Sequence, residues 1–315
     1  MTLAFIFPGQ GSQEIGMGKA LADAFPAAKA VFDEVDEALG QKLSTLMWEG
    51  DIAELTLTAN TQPALMAHSV AAMRALEAGF GISAKDAAFV AGHSLGEYSA
   101  LASAGAIGVG DTARLLRIRG NAMQSAVKPG EGAMAALLGA DYDQAEAACK
   151  AGRETGGVCD IANDNAPGQL VISGSKAAID AAVAWAQGNG VKKAMALNVS
   201  APFHCGLMQP AADAMQAALA DAAIKAPAVP LVANVMASAV TDPETIRQNL
   251  VKQVTGRVRW TESVQYMVGQ GVTTTGEAGA GKVLTVMQRR IEKSLSGFTL
   301  GTPEDLEAFA AAIKG

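Results

Sequence analysis

Cysteine and histidine are scarce in this chain, and charge is never concentrated. Three cysteines (Cys149, Cys159, Cys205) stand among 315 residues. An odd number at irregular spacing excludes a disulfide framework and suits reduced thiols in a cytoplasmic protein. With only His68, His93 and His204 besides, no group has the spacing of a zinc site, so no metal is expected. The net charge is −7, without any block of like charges. That excludes the basic stripe of a nucleic-acid binder and the clustered Lys and Arg of a membrane anchor. No uncharged apolar run reaches the roughly 18 residues that would suggest a membrane span. Thr2–Phe7 is apolar but short, lacks a basic leader and stops at Pro8-Gly9, so it reads as a first strand rather than a signal peptide.

Half of the residues are hydrophobic, enough for one large domain or one domain with an insert. Leu3–Phe7 and Ala87–Ala91 read as buried strands, with helical patterns through Phe25–Leu39 and Pro63–Ala78. The second strand ends in the Gly92–Gly96 turn, and small residues then dominate Glu97–Ala106, as in a helix packed close to a sheet. Strands alternating with helices predict an α/β fold with a mainly parallel sheet. The pattern changes near Val127–Gly130. Strand (Ala133–Leu138), helix (Tyr142–Ala151), strand (Val158–Asn163), strand (Leu170–Ser173), helix (Ala177–Gln187) and strand (Ala194–Val199) follow. This βαββαβ order is the split-βαβ, or ferredoxin-like, arrangement. It predicts an insert over 128–201 between the 1–127 and 202–315 parts of a larger domain, where a helix through Ala211–Ala222 and a strand at Leu231–Val235 resume the α/β pattern.

Gly92-His93-Ser94-Leu95-Gly96 matches G-x-S-x-G between a strand and a helix, the context of a nucleophile elbow. The glycines permit a sharp turn that exposes the serine hydroxyl, and the Leu95 amide at the helix start would face an oxyanion. The bland alternative is a Gly-rich turn with a capping serine. A serine hydroxyl needs a base. His93 adjoins Ser94 on a tight turn and would point elsewhere. His68 lies in an apolar helical pattern and reads as a core or surface histidine. His204, far downstream and just after Pro202, is the remaining candidate, and position alone does not decide for it.

Asp111–Val127 reads as a helix with Asp111 as its N-cap. At about 100° per residue, Leu115, Arg119, Ala122, Met123 and Ala126 share one side, away from Arg114 and Arg117. Arg119 therefore sits on the inward stripe and needs a buried anionic partner. That partner is either a structural Asp or Glu, or the carboxylate of a substrate held in a bidentate fork. Both readings stay open.

Taken together, the motifs resemble the malonyl-CoA:acyl carrier protein transacylases of type II fatty-acid synthesis. The resemblance runs through Phe7–Gln13, Gly92–Glu97, Asn165–Gln169 with Val171–Gly174, Ser200–His204 and Gly279–Leu284. It implies an α/β-hydrolase-like core with a ferredoxin-like insert, and an acyltransferase that carries malonyl on Ser94. His204 would be the base, oriented by the Gln253 backbone carbonyl. The amides of Gln10 and Leu95 would hold the oxyanion, and Arg119 the malonyl carboxylate. Asn165 and the loop containing Val283 would lie near the entering substrate. Phe203, where some relatives carry a small residue, would crowd a branched acyl group. Ala280 replaces a proline often seen in its loop. Malonyl-CoA and the pantetheine thiol of acyl carrier protein would be the substrates, with no further cofactor. An acidic carrier would need a local basic patch, for which Lys282, Arg289, Arg290, Lys293, Lys192 and Lys193 are candidates.

Three alternatives share parts of this pattern. A discrete acyltransferase of a polyketide pathway would carry the same motifs. A serine esterase or thioesterase would have the elbow and the histidine without needing the arginine. A carrier-binding module would form no acyl-serine at all. Nucleotide readings fail: position 14 is Glu14 where a dinucleotide loop needs its third glycine, and Val283 follows Lys282 where a phosphate-binding loop needs Ser or Thr. Oligomeric state is not readable from the sequence.

Overall fold

Leu3–Phe7 (β1) alternates between two cores, as a strand covered on both faces must. Leu3, Phe5 and Phe7 point into one apolar cluster, and Ala4 and Ile6 into another. The computed structural model, which describes residues 2–314, builds the rest of a six-stranded sheet around this strand. In chain order the remaining strands are β2 (Phe89–Gly92), β3 (Gly132–Leu138), β4 (Cys159–Ala166), β5 (Gln169–Ser175), β6 (Lys193–Ala196), β7 (Leu231–Ala233), β8 (Ser238–Val240), β9 (Val258–Arg259), β10 (Thr274–Ala278) and β11 (Ser296–Leu300).

The large sheet runs β11-β10-β1-β2-β7-β8. Its first five strands are parallel, and β8 is an antiparallel edge. A smaller sheet runs β6-β3-β5-β4-β9, with β3–β6 antiparallel to one another and the helices Tyr142–Arg153 and Lys176–Gly188 on one side. These elements enclose a core of their own, from Leu137, Cys149 and Ile172 among others. The edge strand β9 comes from the later part of the chain and pairs parallel with β4, tying the two units together.

Several boundaries move. The helix after the elbow region spans Val109–Ser125 and its N-cap is Gly108, not Asp111, which lies in the first turn. There its carboxylate favours the helix N-terminus and pairs with Arg114 at 2.7 Å. The Pro63–Ala78 helix begins earlier, at Thr58, and runs to Phe80. Pro63 sits close enough to its start that few intrahelical bonds are lost. β6 ends at Ala196, and residues 197–203 form a loop over the site. Among the described residues, no helix is long and apolar enough to cross a membrane.

Candidate active site

The carboxyl ends of β1 and β2 lie side by side, with Phe7 opposite Gly92, and the chain leaves β2 through the Gly92–Gly96 turn. Both glycines are required by contact rather than by torsion. A Cβ on Gly92 would stand 1.9 Å from the Gly96 carbonyl carbon, and one on Gly96 2.2 Å from the Phe7 oxygen. The left-handed torsion falls on Ser94 itself, at φ 54°, a conformation that costs roughly 1–3 kcal/mol and persists only when braced. The braces are polar and come from two other elements. Asn234, just after β7, accepts from the Ser94 amide at 2.8 Å and donates to the Gly92 carbonyl at 2.6 Å. Gln253, on the Pro243–Thr255 helix, donates to the Ser94 carbonyl at 2.9 Å.

His204 reaches the same point from the loop after β6, also with a left-handed backbone (φ 58°). Its Nε2 lies 2.7 Å from Ser94 Oγ. Its Nδ1 faces two carbonyl oxygens, Gln253 at 2.8 Å and Gly256 at 3.1 Å. Two acceptors require the proton on Nδ1, which leaves the Nε2 lone pair for the serine hydroxyl. Burial, reinforced by the Arg119 charge, lowers the imidazole from 6.5 to about 3, so it stays neutral at physiological pH.

Arg119 is 1% exposed and projects from the Val109–Ser125 helix to the serine. Its Nη1 donates to Gln62 Oε1 at 2.9 Å, and its Nη2 donates to Gln253 Oε1 at 2.8 Å and to Ser94 Oγ at 3.2 Å. The expected anionic partner is not in contact. Two neutral amides hold the guanidinium, and the nearest carboxylate, Glu97, touches Gln253 rather than Arg119. A desolvated positive charge whose direct hydrogen-bond partners are all neutral attracts an incoming anion.

A cavity of about 310 Å³ opens above these groups, with Gln10, Leu95, Asn165, Phe203 and Val283 in its wall. Among the described residues, the main-chain amides of Gln10 and Leu95 donate to no protein acceptor, while the Gln10 side chain donates to Thr58 Oγ1, so both main-chain N–H groups remain available to a ligand. Asn165, from β4, accepts through Oδ1 from His93 Nε2 at 2.8 Å, which turns the His93 ring away from the serine. Phe203 packs with Met134, Ala162 and Val171 at the small-sheet side. Val283 is exposed at the mouth. His68 is buried elsewhere, with Nε2 3.1 Å from the Gly301 carbonyl. No cluster of His, Cys, Asp and Glu among the described residues could hold a metal ion.

Sequence reasoning missed Gln62, Asn234 and Glu97. Only Glu97 left a signal: it is the one charged residue in the Gly96–Ser103 helix, GEYSALAS. It is 1% exposed, and burial raises its carboxyl from 4.5 to about 7 despite bonds from Gln253 and the Asn234 amide.

Residues 4–295 match the acyl transferase domain family. A malonyl CoA-acyl carrier protein transacylase of Escherichia coli (strain K12) is 45% identical over 311 residues, covering 99% of this chain and 98% of the relative. The crystal structure of an acyl-carrier-protein-S-malonyltransferase from Bartonella henselae superposes at a TM-score of 0.97 with 54% identity, over 100% of both chains. A malonyl-transacylase solved in complex with a type II PKS acyl-carrier protein has a TM-score of 0.95 at 40% identity, covering 99% of this chain and 100% of that one. The chain belongs to the acyl transferase domain family, among its malonyl CoA-acyl carrier protein transacylases.

Proposed function

We propose that the chain is an [acyl-carrier-protein] S-malonyltransferase of fatty-acid biosynthesis, moving malonyl from CoA to the pantetheine thiol of acyl carrier protein through an acyl-serine on Ser94. The observation that carries this reading is the 2.7 Å contact between Ser94 Oγ and the unprotonated Nε2 of His204, beside the buried charge of Arg119.

The steps follow from that geometry. The Ser94 hydroxyl proton passes to His204 Nε2 as Oγ attacks the thioester carbonyl carbon. The oxyanion takes the free amides of Gln10 and Leu95. The carbon–sulfur bond breaks, and the CoA thiolate leaves with the proton from His204. The carrier thiol then enters, gives its proton to His204 and attacks the acyl-serine, reversing the sequence. Atoms balance as a thiol-to-thiol exchange without a redox partner. The Gln253 carbonyl holds the imidazole tautomer, a role often given to an acid. Arg119 pairs with the malonyl carboxylate, the charge its neutral partners leave unanswered, and Phe203 narrows the pocket against branched groups. Asn165 and Val283 contact the arriving thioester.

The fold reading extends in the same way. We read residues 1–127 with 202–315 as an α/β-hydrolase-like core and 128–201 as a ferredoxin-like insert. The spatial order of the insert's strands, fourth-first-third-second, and its separate core support this. The buried free thiols fit a cytoplasmic location. A polyketide pathway is the second reading, favoured by the relative solved with a type II PKS carrier.

Intact-mass measurement after mixing with malonyl-CoA tests the proposal. Wild type gains one malonyl group and Ser94→Ala gains none. An adduct on the variant, or none on wild type, overturns it.

A further inference from the structure

We propose that Glu97 is a positioning residue for the acyl pocket: its carboxylate holds the Gln253 amide in the orientation that presents an oxygen to Arg119, and so keeps the guanidinium beside Ser94. The inference rests on the roles given above to Ser94 and Arg119.

Gln253 touches the nucleophile, the base and the arginine. Its main-chain oxygen accepts from His204, its side-chain oxygen accepts from Arg119, and its side-chain nitrogen donates to the Ser94 carbonyl. The two ends of that amide are chemically opposite, and a flip would set NH₂ against the guanidinium and oxygen against the Ser94 carbonyl. Glu97 Oε2 accepts from Gln253 Nε2 at 2.6 Å, shorter than the 2.9 Å bond to Ser94, and from the Asn234 amide at 3.3 Å. A charge-assisted bond of this kind is about twice as strong as a neutral one. It anchors the far end of the amide whose near end holds Arg119.

The placement of this acid is otherwise hard to explain by stability. Glu97 makes no direct ion pair with Arg119, its Oε1 has no partner, and it is absent from the cavity wall. Burying a carboxylate on those terms opposes folding. An apolar side chain of similar volume would serve packing better.

The groups facing Glu97 are few. Arg119 comes from the Val109–Ser125 helix and Tyr98 from its own helix, while Asn234 and Gln253 offer neutral amides. Burial keeps the carboxyl near 7. As pH falls through that value it takes up a proton and becomes a weaker acceptor. The site should then lose its grip on Arg119 in a range where His204, held near 3, is still neutral.

The test compares full-length wild type, Glu97→Gln and Glu97→Leu, using malonyl-CoA and the phosphopantetheinylated carrier from pH 5 to 9. Glu97→Leu is expected to lower kcat/KM about 10–100-fold, the scale of a lost bond to a charged group. Glu97→Gln, whose amide oxygen accepts the same N–H, recovers to within about fivefold but loses the acid limb near pH 7 seen in wild type. A folded Glu97→Leu protein within twofold of wild type overturns the inference. So does a limb near 7 that survives in Glu97→Gln, the decisive reading if Glu97→Leu does not fold. A wild type acylated by malonyl-CoA alongside an unaffected Glu97→Leu sinks this inference alone. A wild type that takes up no malonyl sinks the transferase reading with it.

Discussion

Ser94 and His204 meet at 2.7 Å with both backbones left-handed, at φ 54° and 58°. Neither is a glycine; the Gln253 side chain donates to the Ser94 carbonyl and braces the elbow, while the Gln253 main-chain oxygen accepts from His204 Nδ1 and orients only the ring. Removing the imidazole should leave the elbow intact and remove only proton transfer. His204→Ala is expected to lower kcat/KM about 10²–10⁴-fold with little change in Tm. A Tm drop matching that of a core deletion would assign His204 a structural role instead. The sign of the pH dependence is set by burial. With the imidazole lowered to about 3, the base form is present at every pH above roughly 4. In Glu97→Gln, activity should therefore stay flat from pH 8 down to about 5, where an ordinary histidine would already be protonated.

Arg119 should decide which acyl group is used. Its guanidinium is held by Gln62 and Gln253 with no acid in contact, so it binds a substrate carboxylate without first breaking an ion pair. Arg119→Ala is expected to lower kcat/KM for malonyl-CoA about 10²–10³-fold while changing a neutral acyl-CoA by less than about tenfold. Arg119→Lys should not restore malonyl transfer, because an ammonium cannot span Gln62, Gln253 and a carboxylate with one planar fork. Equal losses on malonyl and acetyl thioesters would rule out the clamp.

The elbow was legible because its chemistry is local: strand, glycine, serine, glycine and helix lie within a dozen residues. The apolar run Leu3–Phe7 and the βαββαβ order of elements from Gly132 to Ala196 could be read for the same reason. The partners of Ser94 could not be read from spacing, since His204 is 110 residues away and Gln253 159. Resemblance to a family supplied them. Strands β8 to β11 escaped because they are short or carry polar residues. β10, TTGEA, is fully buried, and its Glu277 accepts from the Leu284 and Thr285 amides at a helix start, a pairing invisible to hydropathy. Asn234 looked like an ordinary loop residue because its bonds are all to distant chain segments.

The two elbow glycines predict an unusual sensitivity to one methyl group. At Gly96 the added Cβ would lie 2.2 Å from the Phe7 carbonyl oxygen and 2.9 Å from that of Pro8, and neither backbone can retreat without opening β1. Gly96→Ala should cost several kcal/mol, above the ~1–3 kcal/mol typical of overpacking, and in practice should abolish a cooperative thermal transition. Gly188→Ala is the control. It has open space around it and no left-handed torsion, so its Tm should match or slightly exceed wild type.

Asn234 should matter for stability and rate together. It is fully buried, and its side chain satisfies the Ser94 N–H and the Gly92 carbonyl at once. Asn234→Ala orphans both groups, which predicts a loss of about 2–4 kcal/mol in urea unfolding. Asn234→Asp keeps an acceptor for Ser94 but turns an oxygen toward the Gly92 carbonyl and adds a charge beside Glu97. It should be no better than Ala, whereas a simple packing role would let the near-isosteric Asp rescue.

Glu97 also makes stability depend on pH with a sign that can be worked out. Its folded value, about 7, lies above the ordinary 4.5. The folded state therefore binds the proton more tightly, and the contribution to stability is complete below pH 4.5 and is lost as pH rises through 7. Glutamine carries no such proton. The Tm of Glu97→Gln minus that of wild type should grow between pH 4.5 and 7 and then level off, corresponding to at most about 3 kcal/mol. His68 and His204 are lowered to about 4 and about 3, so both favour folding increasingly as pH rises toward 6.5, the opposite sign. They are present in both proteins and cancel in the difference. Paired thermal melts at pH 5 and 8 read the effect directly, and a difference that does not change with pH would mean that the carboxyl titrates alike folded and unfolded.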